Sequence, residues 1–313
     1  DLIHYVQSLV PPGVEDRARL HPRQLRARRI RGEIPSEPTA EAWRTAQPTF
    51  VALTPLWWRD QRVEGVEVRA LHNGKDLALQ LSWSDQTRDS STATPQAFSD
   101  GAAVEFSVER DPPFFGMGDA NGAVQIWFWK ASWQEDLKGW HDVEREYPQA
   151  AVDWYPAQRD YQHGERFEIS QSPTAAHDPG FMGGWGAGNP LSDPNRTSAA
   201  EEATAKGLGT LTSREPSMQR IQANGLWQDG QWRVVLRRPF APRQGGVPSG
   251  VEGQRPLTSA EKGLPAAPAA QAGDLALRPG QTVSVAFAVW DGQAEDRDGQ
   301  KSVSMWNALQ LER

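Results

Sequence analysis

The feature that most constrains this chain is a series of short segments in which apolar and polar residues alternate, divided by turn signals. The run Val-Glu-Val-Arg-Ala-Leu-His at 66–72 alternates, Asn73-Gly74 supplies a two-residue hairpin, and Leu-Ala-Leu-Gln-Leu-Ser-Trp at 77–83 returns beside it. Residues 103–108 and 124–129 read as further strands. So do 225–227 and 231–236, which flank a turn at Asp229-Gly230, and then 282–290 and 303–311. Side chains on a strand point to opposite faces with a period of two, so each segment has one face to bury. Many short strands with turns between them predict an all-β fold, an antiparallel β-sandwich with little helix.

Elsewhere the pattern changes. Leu2, Ile3, Val6 and Leu9 share one helical face, and Pro11-Pro12-Gly13 stops that helix, which gives a terminal helix over 1–12. Seven arginines between 17 and 31 mark residues 13–35 as an Arg-rich linker, a solvated segment or a docking strip for an acidic partner. The sandwich domain then spans 36–313. Residues 134–166, 170–222 and 241–280 are polar or rich in Gly, Pro, Ser and Ala, and read as long loops.

Composition removes several functions. With a net charge of −7 the chain lacks the basic excess that nucleic-acid phosphates demand. No run approaches the ~20 apolar residues of a membrane-spanning helix. The chain has no cysteine, which excludes disulfides, thiolate zinc sites, iron–sulfur clusters and covalent haem attachment within it. Phosphate-loop, dinucleotide-binding, zinc-protease and nucleophile-elbow motifs are missing, and the six histidines show no metal-ligand spacing. Nothing pairs two carboxylates as acid and base, but a glycosidase stays open, because its carboxylates can lie far apart in sequence.

Four segments carry a resemblance. They are Leu-Ser-Trp-Ser-Asp at 81–85; Pro-Phe-Phe-Gly-Met-Gly-Asp at 113–119 with Val-Gln-Ile-Trp-Phe-Trp-Lys-Ala at 124–131; Asn-Pro-Leu-Ser-Asp at 189–193 with Ala-Lys-Gly-Leu-Gly-Thr-Leu-Thr at 205–212; and Val-Ala-Phe-Ala-Val-Trp-Asp-Gly at 285–292 with Lys-Ser-Val-Ser-Met-Trp at 301–306. In this order, over residues 45–313, they resemble the ethylbenzene dehydrogenase-type haem-binding family. That family comprises the γ subunits of ethylbenzene, dimethylsulfide, chlorate and selenate molybdoenzymes. The resemblance implies a sandwich related to DOMON and carbohydrate-binding modules, holding one non-covalent haem b and passing electrons in the periplasm. It implies molybdoenzyme α and iron–sulfur β subunits as partners. Residues 1–10 resemble the last helix of a c-type cytochrome, so a cytochrome c domain or protein is expected as a further partner, with the domain itself preceding this chain.

In that family a methionine and a lysine hold the iron. Met117 stands at the matching place before the Trp-rich strand, and Lys206 in the matching Ala-Lys-Gly run; the other five lysines do not fit. A thioether favours ferrous iron, and a lysine ligates only as the neutral amine, so binding displaces a proton. Gly116, Gly118 and Gly207 let the backbone approach a flat ring. Phe114, Phe115, Trp127, Trp129 and Leu208 are the expected apolar walls. Outside the resemblance, a lone Met in a loop is ordinarily a packing residue and a lone Lys a solvated one. The competing reading is a carbohydrate-binding module without haem, with Trp57, Trp58, Trp127, Trp129, Trp185 and Trp232 as a stacking platform.

Overall fold

The computed structural model describes residues 24–60, 62–107, 112–113, 116–119, 122–139, 146–149, 193, 196–214, 218–240 and 275–313. The terminal helix expected over 1–12, and the parts of the three long loops at 150–192 and 241–274, lie outside them. Among the described residues there are fourteen strands. In chain order they are β1 (Gln24–Arg29), β2 (Thr49–Ala52), β3 (Thr54–Pro55), β4 (Gly65–His72), β5 (Asp76–Ser84), β6 (Gly101–Ser107) and β7 (Val124–Lys130). After a short helix α1 (Ala131–Asp136) come β8 (Ala200–Ala205), β9 (Thr212–Ser213), β10 (Gln222–Gln228), β11 (Gln231–Pro239), β12 (Thr282–Trp290), β13 (Ser302–Val303) and β14 (Asn307–Leu311). No helix in the described residues is long and apolar enough to cross a membrane.

The strands pair in the order β10-β11-β5-β4-β1-β14-β12-β6-β7-β8-β9, and this sheet folds over to bury one face against itself. The predicted hairpins form as read. β4 and β5 pair antiparallel across Asn73-Gly74. β10 and β11 pair across Asp229-Gly230, where both residues have positive φ, 53° and 70°. That is the backbone of a type I′ turn, whose twist matches the strands it joins, and glycine takes it without a Cβ clash.

Two expectations about the segments change. Residues 24–29, read as part of the linker, form β1 in the middle of the sheet, parallel to both β4 and β14. Leu25 and Ala27 point inward and are buried, while Arg26 and Arg28 point out. A two-residue apolar alternation among arginines is too weak a signal to separate from a solvated run. Likewise β8 and β9 lie inside the stretch 170–222 that reads as loop.

Tryptophan fills the gap between the two halves. Trp83 on β5, Trp232 on β11 and Trp129 on β7 meet with ring centroids 4.9–6.3 Å apart, and Trp127 packs on Phe106 at 4.5 Å. Such rings bury large areas at fixed geometry, and these four of the chain's 14 tryptophans form the centre of the core. Between β7, β8 and β11 the core turns polar. Glu202, fully buried, accepts hydrogen bonds from Arg238 Nε (3.0 Å), Gln125 Nε2 (2.7 Å) and the Arg220 N–H (2.9 Å), with Arg214 at 3.5 Å.

His72, at the end of β4, is also fully buried. Its ring stacks on Phe240 with centroids 5.7 Å apart, and neither nitrogen has a partner at hydrogen-bonding geometry, although the main chain of Glu312 is close. Burial lowers its pKa below the ordinary 6.5. Below that value the unfolded chain takes up a proton that the folded state resists, so this residue makes stability fall as pH drops through 6.5. His72→Phe should keep or raise the melting temperature at pH 7 and flatten the acid-side decline. An unchanged acid limb in pH-dependent thermal melts would count against it.

Candidate functional site

The face of β12, β6, β7 and β8 that points away from the tryptophan core is built of small and apolar residues. Strand register sets them in rows. Ala288, Ala103 and Phe128 stand side by side; in the next row stand Ala286, Glu105, Ile126 and Ala203; Val124 and Ala205 follow. Ala103, Val124, Ile126, Ala203, Ala205 and Trp290 form one buried cluster, with Met117, Phe128, Ala288 and Trp306 packed onto it. Alanines on adjacent strands make a flat floor between taller aromatic walls. Phe128 and Trp290 stack at 4.6 Å on one side. Trp306 stands on another, its indole N–H donating to the Pro113 carbonyl at 2.8 Å.

Two loops meet on this floor, and they carry Met117 and Lys206. The Gly207 N–H donates to the Met117 carbonyl at 2.8 Å. Gly118, φ 76°, packs so closely that a Cβ there would lie 2.8 Å from the Ala205 carbonyl oxygen and 2.7 Å from that of Gly122. Met117 itself has φ 74°, a left-handed backbone that a residue with a long side chain seldom takes. Its N–H donates to Glu105 Oε1 at 2.8 Å. The methionine is therefore held from both sides, by β6 through Glu105 and by the lysine loop through Gly207. Its side chain is half-buried against the alanines.

The lysine loop is closed by Thr210, whose hydroxyl accepts from the Lys206 N–H at 2.8 Å and donates to the Gly207 carbonyl at 2.7 Å. Lys206 and Leu208 are exposed, Leu208 at 81%. Glu105 is half-buried, and loss of solvation pushes its pKa up to about 7, against the opposing pull of its own hydrogen bond from Met117 and the nearby Lys301 charge. Lys301 lies with its amine 4.7 Å from the Trp290 ring centre, and burial lowers its pKa.

The structure thus brings Met117, Lys206 and Leu208 to one face. Phe114 and Phe115 lie outside the described residues. Trp127 and Trp129 do not line this face: they project into the sandwich interior and are fully buried there. β7 is apolar on both sides, so its alternation separates Trp127 and Trp129 from Ile126 and Phe128 without saying which pair turns inward. The aromatic side chains that share this face with Met117 are Phe128, Trp290 and Trp306. Glu105 and Thr210 were also missed. The alternation in 103–108 does put Glu105 on the Ala103 face, but nothing local tells that it reaches Met117.

The sugar platform does not assemble. Trp127, Trp129 and Trp232 are core residues, Trp57 and Trp58 are exposed, and Trp185 lies outside the described residues. As donors to a metal, one thioether and one amine on touching loops above an apolar floor suit the axial positions of a haem iron. They do not suit zinc, which takes several nitrogen, sulfur or carboxylate ligands.

Known proteins similar to this chain fall in one group. The chain is 24% identical over 278 residues to a Haloferax mediterranei protein named as a respiratory nitrate reductase haem subunit, covering 87% of this chain and 67% of that one. It is 24% identical over 292 residues to the chlorate reductase subunit gamma of Ideonella dechloratans, covering 90% and 82%. It is 27% identical over 252 residues to the dimethylsulfide dehydrogenase subunit gamma of Rhodovulum sulfidophilum, covering 80% of this chain and 62% of that relative's length. Among solved structures, a family 9 carbohydrate-binding module from Caldicellulosiruptor kristjanssonii aligns over 93% of this chain and 94% of its own, with a TM-score of 0.38 and 8% identity. The ethylbenzene dehydrogenase family matches residues 40–302, which include both loops and the whole alanine floor, and the chain belongs to that family.

Proposed function

We propose that this chain is a haem b electron-transfer subunit or domain, with Met117 and Lys206 as the two axial ligands and catalysis on a partner. The observation that carries this reading is the strained, doubly held Met117, locked to the Lys206 loop over a floor of alanines. Backbone strain of about 1–3 kcal/mol persists only where surrounding contacts impose it, and it gathers where a side chain must be aimed. Bound haem would supply one-electron transfer. Two protein ligands leave no open iron position for oxygen or substrate, which is why chemistry is assigned elsewhere.

Each residue then has a task. Glu105 and Gly207 aim the thioether, Thr210 shapes the loop that presents the amine, and Phe128, Trp290 and Trp306 give the ring an apolar surround. Leu208, beside Lys206, is a candidate contact. The relatives are named as subunits of a nitrate reductase, a chlorate reductase and a dimethylsulfide dehydrogenase, which supports oxidoreductase subunits as redox partners on one side; the family resemblance implies that these carry molybdenum and iron–sulfur centres. A c-type cytochrome on the other side, and a periplasmic location, complete the reading.

The test is reconstitution. Purified protein mixed with haemin should turn red with one haem per chain, and acid–acetone should extract all of it, because no cysteine is present to bond it. A protein that stays colourless with haemin is not a haem protein. Glu105→Ala should weaken the methionine side and yield a mixture of low- and high-spin iron. Glu105→Gln, which keeps an acceptor oxygen for the Met117 N–H, should stay low-spin. Equal spectra for the two variants would remove Glu105 from its positioning role.

A further inference from the structure

A second cluster lies outside the haem face. Asp85 follows β5, Asp100 precedes β6 and Asp291 follows β12, and one carboxylate oxygen from each comes within 4.8 Å of the others. Asp85 is 5% exposed and Asp100 fully buried. Among the described residues no Lys, Arg or His pairs with any of the three. The nearby Arg59 is taken by Asp296, whose carboxylate also accepts from the Asp291 N–H at 3.0 Å.

Protein donors satisfy only part of this cluster. Asp100 accepts N–H groups from Gly292 (2.8 Å), Asp89 (2.8 Å) and the Trp232 indole (2.9 Å). Asp85 Oδ1 accepts from the Thr87 N–H at 3.1 Å. Asp85 Oδ2 is buried with no hydrogen-bond partner; the Trp83 indole lies near that carboxylate but outside bonding geometry. A buried carboxylate oxygen without a donor costs free energy, and it costs more beside two like charges.

We propose that Asp85, Asp100 and Asp291 bind a calcium ion that joins the ends of β5, β6 and β12. The donor set is all oxygen and strongly anionic, which suits a hard cation and not zinc or copper. Burial leaves little room for the water shell that magnesium retains, whereas calcium accepts six to eight irregular oxygen ligands. Main-chain carbonyls and the second oxygens of the carboxylates, with at most a single water, would complete the shell. Without a cation the three carboxylates oppose one another: burial pushes Asp100 up to about 8 and Asp85 up to about 6, and raises Asp291, with neighbouring aspartates adding to each. Bound calcium would reverse that penalty. It would also tie β5 to β6 and β12, next to the Trp83–Trp232 contact.

Two measurements on the full chain test the site. After stripping with EGTA, added calcium chloride should raise the melting temperature by about 5 °C at saturation. Terbium should bind one-to-one and emit on tryptophan excitation, because Trp232 is hydrogen-bonded to a ligand carboxylate. Asp291→Asn, the least buried of the three substitutions, should lose most of both responses while the haem spectrum stays native. A melting temperature indifferent to calcium, with terbium emission equal in wild type and Asp291→Asn, would mean the carboxylates are held by protons, and the proposal falls. An equal shift with magnesium chloride would overturn the assignment to calcium.

Discussion

Replacing Lys206 by alanine is expected to turn a six-coordinate, low-spin haem protein into a high-spin one, or into one that takes up an added amine or imidazole. The lysine is exposed and follows the last residue of β8, so the fold should survive the change. Met117→Ala should open the opposite side of the iron. It should also lower the reduction potential, because a thioether stabilises the ferrous form. Absorption and electron paramagnetic resonance report the spin state, and a redox titration the potential. Two other lysines lie near this face and serve as comparisons. Lys301→Ala removes a cation beside Glu105 and should leave the iron low-spin. Lys130→Ala should also leave it low-spin but cost stability, since it strands the buried Glu201 carboxylate with which Lys130 pairs. If Lys206→Ala keeps the native spectrum and Lys301→Ala loses it, the amine ligand is Lys301 and the assignment here is wrong.

Glu202→Ala should be among the most destabilising substitutions in the chain. Glu202 is fully buried and neutralises Arg238, which is itself fully buried, with Arg214 close by. Removing one partner of a buried pair leaves an uncompensated charge and costs about 3–5 kcal/mol, far more than the pair contributes in net. For a chain of this length that is about 10 °C in melting temperature. The exposed pair Arg237–Glu33 is the comparison. Solvent screens it, and Glu33→Ala should leave the melting temperature unchanged. The double variant Glu202→Leu, Arg238→Met should be less damaged than Glu202→Ala, because it removes both charges together. A double variant as unstable as the single one would mean that Glu202 acts mainly through its other contacts, to Gln125 and the Arg220 main chain.

The order of strands along the chain is local information. In β4, β5 and β12 a large apolar residue recurs at every second position over most of the strand, and the Asn-Gly and Asp-Gly turns require backbones that few other pairs adopt. These elements, the all-β class and the two loops bearing Met117 and Lys206 are accordingly legible in the residues and in their likeness to a family. The alternation also states which side chains share a face. What it leaves open is which face is inside when both are apolar. On β7 that choice went to Trp127 and Trp129 because Trp83 and Trp232, from strands distant in sequence, were there to receive them. That left Ile126 and Phe128 to the site.

The remaining decisions depended on partners far along the chain. β1 is a strand only because β4 and β14 flank it on both sides and satisfy its backbone. Alone, its six residues with three arginines offer too little apolar surface to hold an extended form. Asp85, Asp100 and Asp291 become neighbours only when three strand ends are drawn together by the register of the sheet, and Glu105 becomes the acceptor only when Met117 comes to rest over β6. Sequence alone therefore determined the all-β class and the hairpin strands around Asn73-Gly74 and Asp229-Gly230, since those rest on patterns and turns within a few residues. Tertiary structure alone decided which polar groups meet in the interior. The burial that makes such a meeting consequential is created by packing between segments that the chain brings together from a distance, as Asp100 and Gly292 are, and neither segment carries a trace of it.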